Sequence, residues 1–403
     1  MDRSGRRLAL PDSDSVDIAS DGNADSNLEQ ALNNLNRASS HGPGFIDILN
    51  FGFQWGIPSV DLTRIGVLGP SDSTLEGSRM AYTLGAGHTA TVIRHETGDE
   101  ESDLLPNGTT IALKIFAQNP VSETANNQSR DGRSARSQTY HAILRELGVF
   151  CHPDLSEHPN IVKLLFLGWQ SPNPFPVLGL ELGEFGSLDY ILRSPGTGLS
   201  RLQKAHVTMD VALGLHALHD NDFVHGDLKP ANVILLRHAD PERQIIAKLT
   251  DFGGASRARS LEAPGFVTYL WCAPEVLHGD DDLEWDKCDV YSYGLIVASI
   301  WSRPEMFEHE WSNSSCILSS FIPEYMGDED RENFLLVMKS VGEDSPESAL
   351  QLTLGTLSEV SEAVAGDVLR ATLVPAFWQR PTILDIIVQE FVELAPVIGR
   401  NLM

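Results

Sequence analysis

The sequence predicts an α+β fold in which a small, strand-rich half precedes a larger, mainly helical half. Between residues 80 and 182, short apolar runs alternate with glycine and polar residues, which is typical of strands joined by turns. After Gly186, apolar residues recur mainly at helical spacing. The chain has 403 residues, of which 42% are hydrophobic, so it is long enough for two or three globular units.

The strand-rich half is built from short apolar runs. These runs predict five strands, at 82–84, 89–93, 111–116, 161–169 and 175–182. A helix is predicted at 140–150, because Ile143, Leu147 and Phe150 share one face. Residues 117–137 are polar and predict a flexible insertion.

The helical half follows without a long linker. Its apolar periodicity predicts five main helices, at 201–220, 289–302, 331–340, 356–374 and 382–394. A shorter helix is expected to begin at Leu188, after Gly186-Ser187. The small half is therefore assigned to 80–182 and the large half to 183–397.

Two segments of different character precede both halves. Residues 1–41 are rich in Asp, Ser and Asn, which predicts a disordered acidic tail. Within it, Leu28, Ala31, Leu32 and Leu35 indicate at most one short amphipathic turn. Residues 42–79 give no clear assignment beyond short strands, and we expect a packed extension of the small half.

The charge of the chain excludes two classes of partner. The formal net charge is −27, from 29 Lys+Arg against 56 Asp+Glu. This balance argues against nonspecific nucleic-acid binding and against an electrostatic membrane anchor. Residues 276–370 hold 20 acidic and 5 basic residues, a net of −15. A solvated surface explains this run, and a field that attracts a basic substrate segment is the other interpretation.

Cysteine usage and hydropathy predict a soluble protein inside the cell, either cytoplasmic or nuclear. The four cysteines, at 151, 272, 288 and 316, form no CxxC pair and are expected to be free thiols. Leu8-Ala9-Leu10 is too short for a signal-peptide core. The longest apolar run, 290–301, is too short to span a bilayer.

The densest group of chemically useful residues is His225-Gly226-Asp227-Leu228-Lys229-Pro230-Ala231-Asn232, followed by Thr250-Asp251-Phe252-Gly253. Phosphoryl transfer needs hard oxygen ligands for a divalent metal, and Asn232 and Asp251 can supply them. It also needs an acceptor for the proton of the attacking hydroxyl, which Asp227 can provide. Lys229 can neutralise charge on the γ-phosphate. Asp-Phe-Gly alone is a common turn tripeptide, but the two segments together, in this order, make a chance match to a phosphoryl-transfer site remote.

Residues 80–395 resemble the protein-kinase family, whose motifs follow in order. The resemblance implies a bilobal fold with a small antiparallel-sheet N-lobe and a larger helical C-lobe. It implies that ATP and Mg²⁺ bind between the lobes, with the metal on Asn232 and Asp251. Asp227 and Lys229 would be catalytic, and the γ-phosphoryl group would pass to Ser or Thr hydroxyls of a protein substrate. The oligomeric state stays open.

The resemblance also assigns the nucleotide site. Residues Leu84-Gly85-Ala86-Gly87-His88-Thr89-Ala90-Thr91-Val92 match the glycine-rich loop, with Ala90 in place of its third glycine. Lys114, in Ala112-Leu113-Lys114, would pair with Glu146 of the next helix and position the phosphates. Leu180 would be the gatekeeper of the hinge. The other residues implied to surround ATP are Leu84, Gly85, Gly87, Val92, Ala112, Glu181, Gly183 and Ile234.

Several further residues are implied to have architectural roles. Phe150, Leu164, His225 and Phe252 would form one stack. Ala273-Pro274-Glu275 matches the end of the activation segment, which runs from residue 251 to 275. Glu275 would pair with buried Arg380, and Asp289 would anchor the catalytic loop.

One departure from the family pattern bears on regulation. The residue before Asp227 is Gly226, where many kinases have an arginine that binds a phosphorylated activation segment. This predicts activity that does not require such phosphorylation at Ser256, Ser260 or Thr268.

The sequence His225-Gly226-Asp227 leaves more than one function open. It also occurs in small-molecule kinases similar to aminoglycoside or choline phosphotransferases. Lys229-Pro230, Ala273-Pro274-Glu275 and Arg380 favour a protein kinase instead. Lys229 and Thr268 favour Ser/Thr specificity, and the residues around Thr268 resemble the tyrosine-kinase-like branch. A catalytically silent pseudokinase scaffold is a third interpretation, although no catalytic position is lost.

Overall fold

The computed structural model describes most of the two predicted halves and part of the N-terminal segment. The described residues are 24–37, 45–62, 83–86, 90–98, 104–116, 131–170, 173–194, 198–258, 268, 271–278, 283–301, 363–374 and 376–389.

The N-lobe is organised around a six-stranded sheet. Its strands are β1 (Ser59–Asp61), β2 (Thr83–Ala86), β3 (Ala90–Glu96), β4 (Thr110–Phe116), β5 (Leu164–Trp169) and β6 (Val177–Glu181). The spatial order is β1-β5-β6-β4-β3-β2. All neighbours are antiparallel except β1 and β5, which pair in parallel at one edge. The register places Lys114 of β4 between Val92 and Leu178.

Within the described ranges, three helices accompany this sheet: α1 (Ala24–Arg37), α2 (Phe45–Gln54) and α3 (Asp131–Phe150). Helix α3 buries Ile143 and Leu147, as their spacing predicts. Helix α1 packs against both α3 and α2. Helix α2 in turn contacts β1, the edge strand of this sheet opposite β2.

The C-lobe is mainly helical. The helices in its described part are α4 (Leu188–Arg193), α5 (Arg201–Asp220), α6 (Pro274–His278), α7 (Trp285–Trp301), α8 (Ala363–Thr372) and α9 (383–389). Ser187 caps α4, and Ser200 with Gln203 forms a capping box at the start of α5. Short strands lie beside the cleft: β7 (Gly186–Ser187), β8 (Phe223–Val224), β9 (Val233–Arg237), β10 (Ile245–Leu249) and β11 (Ser256–Arg257). The core is continuous from α3 through α5 to the buried α7.

Three sequence predictions are wrong in part. The predicted disordered tail contains the 14-residue helix α1, because burial of its apolar stripe outweighs the weak helix propensity of its asparagines. Residues 45–54 form a helix rather than a strand, since Ile48, Phe51 and Gly52 bury one face. The predicted insertion at 117–137 ends early, because α3 begins at residue 131. The predicted helix at 331–340 lies outside the described residues.

Candidate active site

A buried lysine joins the two lobes at the base of the cleft. The Lys114 Nζ donates to Glu146 Oε1 at 2.5 Å and to Asp251 Oδ1 at 2.7 Å. Lys114 lies on β4, Glu146 on α3, and Asp251 before a single 3₁₀ turn, Phe252–Gly254. The pair implied by the resemblance is therefore formed, and it includes the predicted metal-binding aspartate.

Burial and charge oppose each other within this triad. Burial by itself lowers the pKa of Lys114, but the carboxylates of Asp251 and Glu146 outweigh it and hold that pKa above its usual value. Burial raises the pKa of Glu146, against the opposing effect of Lys114. Partial burial would raise the pKa of Asp251, but the ammonium of Lys114 leaves it below its usual value. Lys114 is thus a fixed cation, and Asp251 an anion, at neutral pH.

Both oxygens of the Asp227 carboxylate are held by neighbouring side chains. Oδ2 accepts from Lys229 Nζ at 2.6 Å, and Oδ1 accepts from Thr268 Oγ1 at 2.6 Å. The Thr268 backbone N–H also donates to Oδ1 at 3.0 Å, and Lys229 Nζ donates to Thr268 Oγ1 at 2.7 Å. Three donor groups, one from neighbouring Lys229 and two from Thr268, which is 41 residues away in sequence, thus fix the orientation of one carboxylate.

The side chain of Asn232 is oriented by the same loop. Its Nδ2 donates to the Asp227 backbone carbonyl at 2.8 Å, so this bond uses the nitrogen of the amide and not its oxygen. The Asn232 carbonyl accepts from Thr250 N–H at 3.0 Å, so Asn232 lies beside Asp251. One amide and one carboxylate oxygen fit Mg²⁺, which commonly takes one or two protein oxygens and completes its shell with water and phosphate. Asp251 has φ +63°, a left-handed conformation that aims its side chain into the cleft at a cost of about 1 kcal/mol.

The side of the cleft that is predicted to bind adenine is apolar and closely packed. Leu180, the predicted gatekeeper, is buried and pairs in register with Ala112. A Cβ at Gly183 would lie 3.0 Å from Ile234 Cβ and 3.2 Å from the Leu235 carbonyl oxygen, so glycine allows the hinge to approach β9. Ile234 therefore lies against the hinge, where the resemblance implies the floor of the adenine pocket.

The predicted glycine-rich loop is described only in part. Leu84 is 51% exposed in β2, and Gly85 belongs to the same strand. Val92 packs against the core from β3. Gly87 lies outside the described residues, so its predicted contact with phosphate stays a prediction.

The side chain of Glu181 makes contacts that the sequence does not predict. Its Oε1 accepts from Lys248 Nζ at 2.6 Å and from the Lys163 backbone N–H at 2.7 Å. These bonds connect the hinge to β10 below it. A lysine in a strand gives no signal of such a contact, because its partner is distant in sequence.

Asp289 holds the start of the catalytic loop by its backbone. Its carboxylate is buried and accepts from the N–H groups of His225 at 2.7 Å and Gly226 at 3.0 Å. Its Oδ2 also lies 3.1 Å from His219 Nε2. Gly226 has φ +75°, a conformation that glycine adopts without strain.

The predicted aromatic stack is largely present. The Phe252 ring lies 5.5 Å from Phe150 and 5.4 Å from His225, measured between centroids. Leu164 packs against the same core. This stack connects α3 to the catalytic loop through the residue that follows Asp251.

The expected buried ion pair below the activation segment is also present. Arg380 donates to Glu275 Oε1 at 2.5 Å and Oε2 at 3.0 Å, and both side chains are buried. Arg380 also donates to the carbonyl oxygens of Val374 and Lys287 at 2.6 and 3.1 Å. Such a pair fixes geometry more than it adds stability.

The order of these motifs, and their convergence on one cleft, agrees with a comparison against protein families. Residues 82–392, more than half of the chain, match the family described as "Protein kinase domain". The chain belongs to the protein kinase family. Family membership implies the use of ATP, generally with Mg²⁺.

Curated relatives carry protein kinase names. The chain is similar to "Dual specificity protein kinase shkA" of Dictyostelium discoideum, at 35% identity over 160 residues, 37% of this chain and 28% of that protein. It is 33% identical over 153 residues to "Probable serine/threonine-protein kinase pats1" of the same organism, covering 38% of this chain and 5% of that protein. The chain thus spans less than a third of these relatives.

Among the described residues, no helix combines the length and the hydropathy of a membrane-spanning segment.

Proposed function

We propose that this chain is a protein kinase that transfers the γ-phosphoryl group of ATP to Ser and Thr hydroxyls of proteins. The observation that carries the proposal is the Asp227 carboxylate, held by Lys229 and Thr268 in the cleft that also contains Lys114. When bound, Mg²⁺ and ATP supply the phosphoryl group and neutralise its charge. Asn232 and Asp251 would hold the metal.

Each protein group has a defined task in this proposal. Asp227 orients the acceptor hydroxyl and accepts its proton, since its two oxygens are fixed by donors. Lys229 stays beside Asp227, where it stabilises the transferring phosphoryl group. Lys114, held by Glu146, positions the other phosphates.

Two observations support Ser/Thr specificity. Lys229 occupies the second position after Asp227, and Thr268 bridges both residues through its hydroxyl. One relative is named as a dual specificity kinase, so phosphotyrosine must be measured as well. The acidic balance of the chain favours protein substrates with basic residues near the acceptor. A location inside the cell is proposed on the sequence evidence alone.

A transfer assay with γ-³²P-ATP tests the proposal against its rivals. Wild type and Asp227→Asn are incubated with a mixture of basic proteins and, separately, with small amines and alcohols. We expect labelled phosphoserine and phosphothreonine from wild type alone. Labelling only of small molecules would identify a phosphotransferase of the aminoglycoside or choline type. Nucleotide binding without transfer would identify a scaffold.

We further propose that activity does not depend on phosphorylation of the activation segment. Gly226 offers no side chain to bind a phosphate, and the hydroxyl of Thr268 already bonds to Asp227 and Lys229. Phosphatase treatment is therefore expected to leave the transfer rate unchanged. Loss of activity, together with a phosphate at Ser256, Ser260 or Thr268, would refute this.

A further inference from the structure

The N-terminal helix α1 places a carboxylate beside the activation segment. The Oδ1 atom of Asp25 accepts a hydrogen bond from Arg257 Nη2 at 2.5 Å and lies 3.5 Å from His152 Nε2. Arg257 is in β11, four residues after Gly253 of the Asp-Phe-Gly motif. His152 lies two residues after the end of α3. One side chain from outside the kinase domain match therefore contacts two elements that flank the active site.

Apolar contacts seat α1 on the helix that carries Glu146. Leu28 is fully buried, and Leu32 Cδ1 lies 3.4 Å from the position that a Cβ would take at Gly148. Gly148 is only two residues from Glu146 on α3. Ala31 and Leu35 pack against the same core, so the whole apolar stripe of α1 is used.

A third element joins this contact through an aromatic ring. The Arg257 guanidinium lies 4.1 Å from the centroid of the Phe223 ring, and the His152 ring meets Phe223 edge-on at 5.7 Å. Phe223 is in β8, pairs in register with Arg257, and lies two residues before His225. The Asp25 contact thus extends to the strand that leads into the catalytic loop.

We propose that α1 acts as a brace, formed by Asp25, Leu28 and Leu32, and that Asp25 is a positioning residue for phosphoryl transfer. The apolar residues hold α3 where Glu146 meets Lys114. Asp25 holds β11 against the same helix end. Gly226 has no side chain that could bind a phosphate on the activation segment. The carboxylate of Asp25 instead binds Arg257 of that segment, so the brace can hold the segment without phosphorylation. The proposal depends on the proposed kinase activity for its kinetic readout.

The test compares Asp25→Asn with Glu29→Gln in the full chain. Glu29 is an exposed carboxylate one turn later on the same helix, so it controls for charge and helix propensity. Two quantities are measured: kcat for transfer, and deuterium uptake by α3. For Asp25→Asn we expect kcat to fall about two- to fivefold, the range for a partly exposed ion pair, and α3 to exchange faster. Glu29→Gln is expected to match wild type, and Asp25→Glu to recover most of the lost rate.

Two further variants separate positioning from general stability. In an Arg257→Gln background, Asp25→Asn is expected to add no further loss, because the partner is already gone. Leu28→Ser is expected to lower kcat and α3 protection more than Asp25→Asn does, since it releases the buried stripe. The proposal is overturned if Asp25→Asn matches Glu29→Gln in both quantities, or if the Asp25 and Arg257 effects simply add. Absence of transfer by wild type would instead overturn the proposed function, while deuterium uptake still tests the brace.

Discussion

Replacing Thr268 by valine removes one hydroxyl from the catalytic centre and leaves the side-chain shape nearly unchanged. That hydroxyl donates to Asp227 Oδ1 at 2.6 Å and accepts from Lys229 Nζ at 2.7 Å. The Thr268 backbone bond to Asp227 and the Lys229–Asp227 bond remain possible. The substitution thus removes two hydrogen bonds to charged groups, each worth about 1.5–3 kcal/mol. Because the direct bond between Lys229 and Asp227 remains, we expect the transition state to lose the equivalent of one of them, which lowers kcat about ten- to 150-fold.

The assay is steady-state phosphoryl transfer with ATP and protein substrate varied in turn. The KM for ATP should stay close to wild type, because the hydroxyl bonds to Asp227 and Lys229 rather than to Lys114. Thr268→Ser, which keeps the hydroxyl, should retain most of the rate. The reasoning is refuted if Thr268→Val stays within about twofold of wild-type kcat, or if serine is as damaging as valine.

Three other substitutions or conditions give separate tests. Arg380→Met should destabilise the protein by about 3–5 kcal/mol, because it leaves buried Glu275 without its cation. The double variant Arg380→Met/Glu275→Leu should recover most of the lost thermal midpoint. Equal midpoints for the single and the double variant would contradict this. Gly226→Ala should lower the free energy of unfolding by about 1–2 kcal/mol, because φ is +75° at this position and a side chain strains that conformation. An unchanged thermal midpoint would contradict the backbone conformation described for this loop. Burial lowers the pKa of His152, although Asp25 opposes the shift, so the folded state resists its protonation. Stability should therefore fall as the pH drops below 6.5, and less steeply in His152→Gln; identical slopes would count against this assignment.

The sequence predicts the parts of the site that depend on local motifs. Asp227, Lys229 and Asn232 lie within one loop, and their family pattern can be read without a structure. Thr268 and Arg380 are predicted in the same way, although their partners are 39 and 105 residues distant. In these cases the motif itself carries the information about the contact.

Contacts without a motif could not be predicted. The apolar stripe at 28–35 is visible in the sequence, but helix α1 is stabilised by burial against α3. A short window of sequence contains no information about that surface. The contact between Asp25 and Arg257 spans 232 residues and has no pattern to indicate it. The same holds for Lys248 and Glu181, which are joined by strand packing across the hinge.

A single-turnover measurement on Asp227→Asn tests the catalytic assignment most directly. This variant keeps the side-chain size and removes the proton acceptor, while Lys114, Glu146 and Asp251 are untouched. With nucleotide affinity measured in parallel, the account predicts near wild-type binding of ATP and a transfer rate lower by about 10²- to 10⁴-fold. A transfer rate equal to that of wild type, at equal nucleotide occupancy, would contradict it.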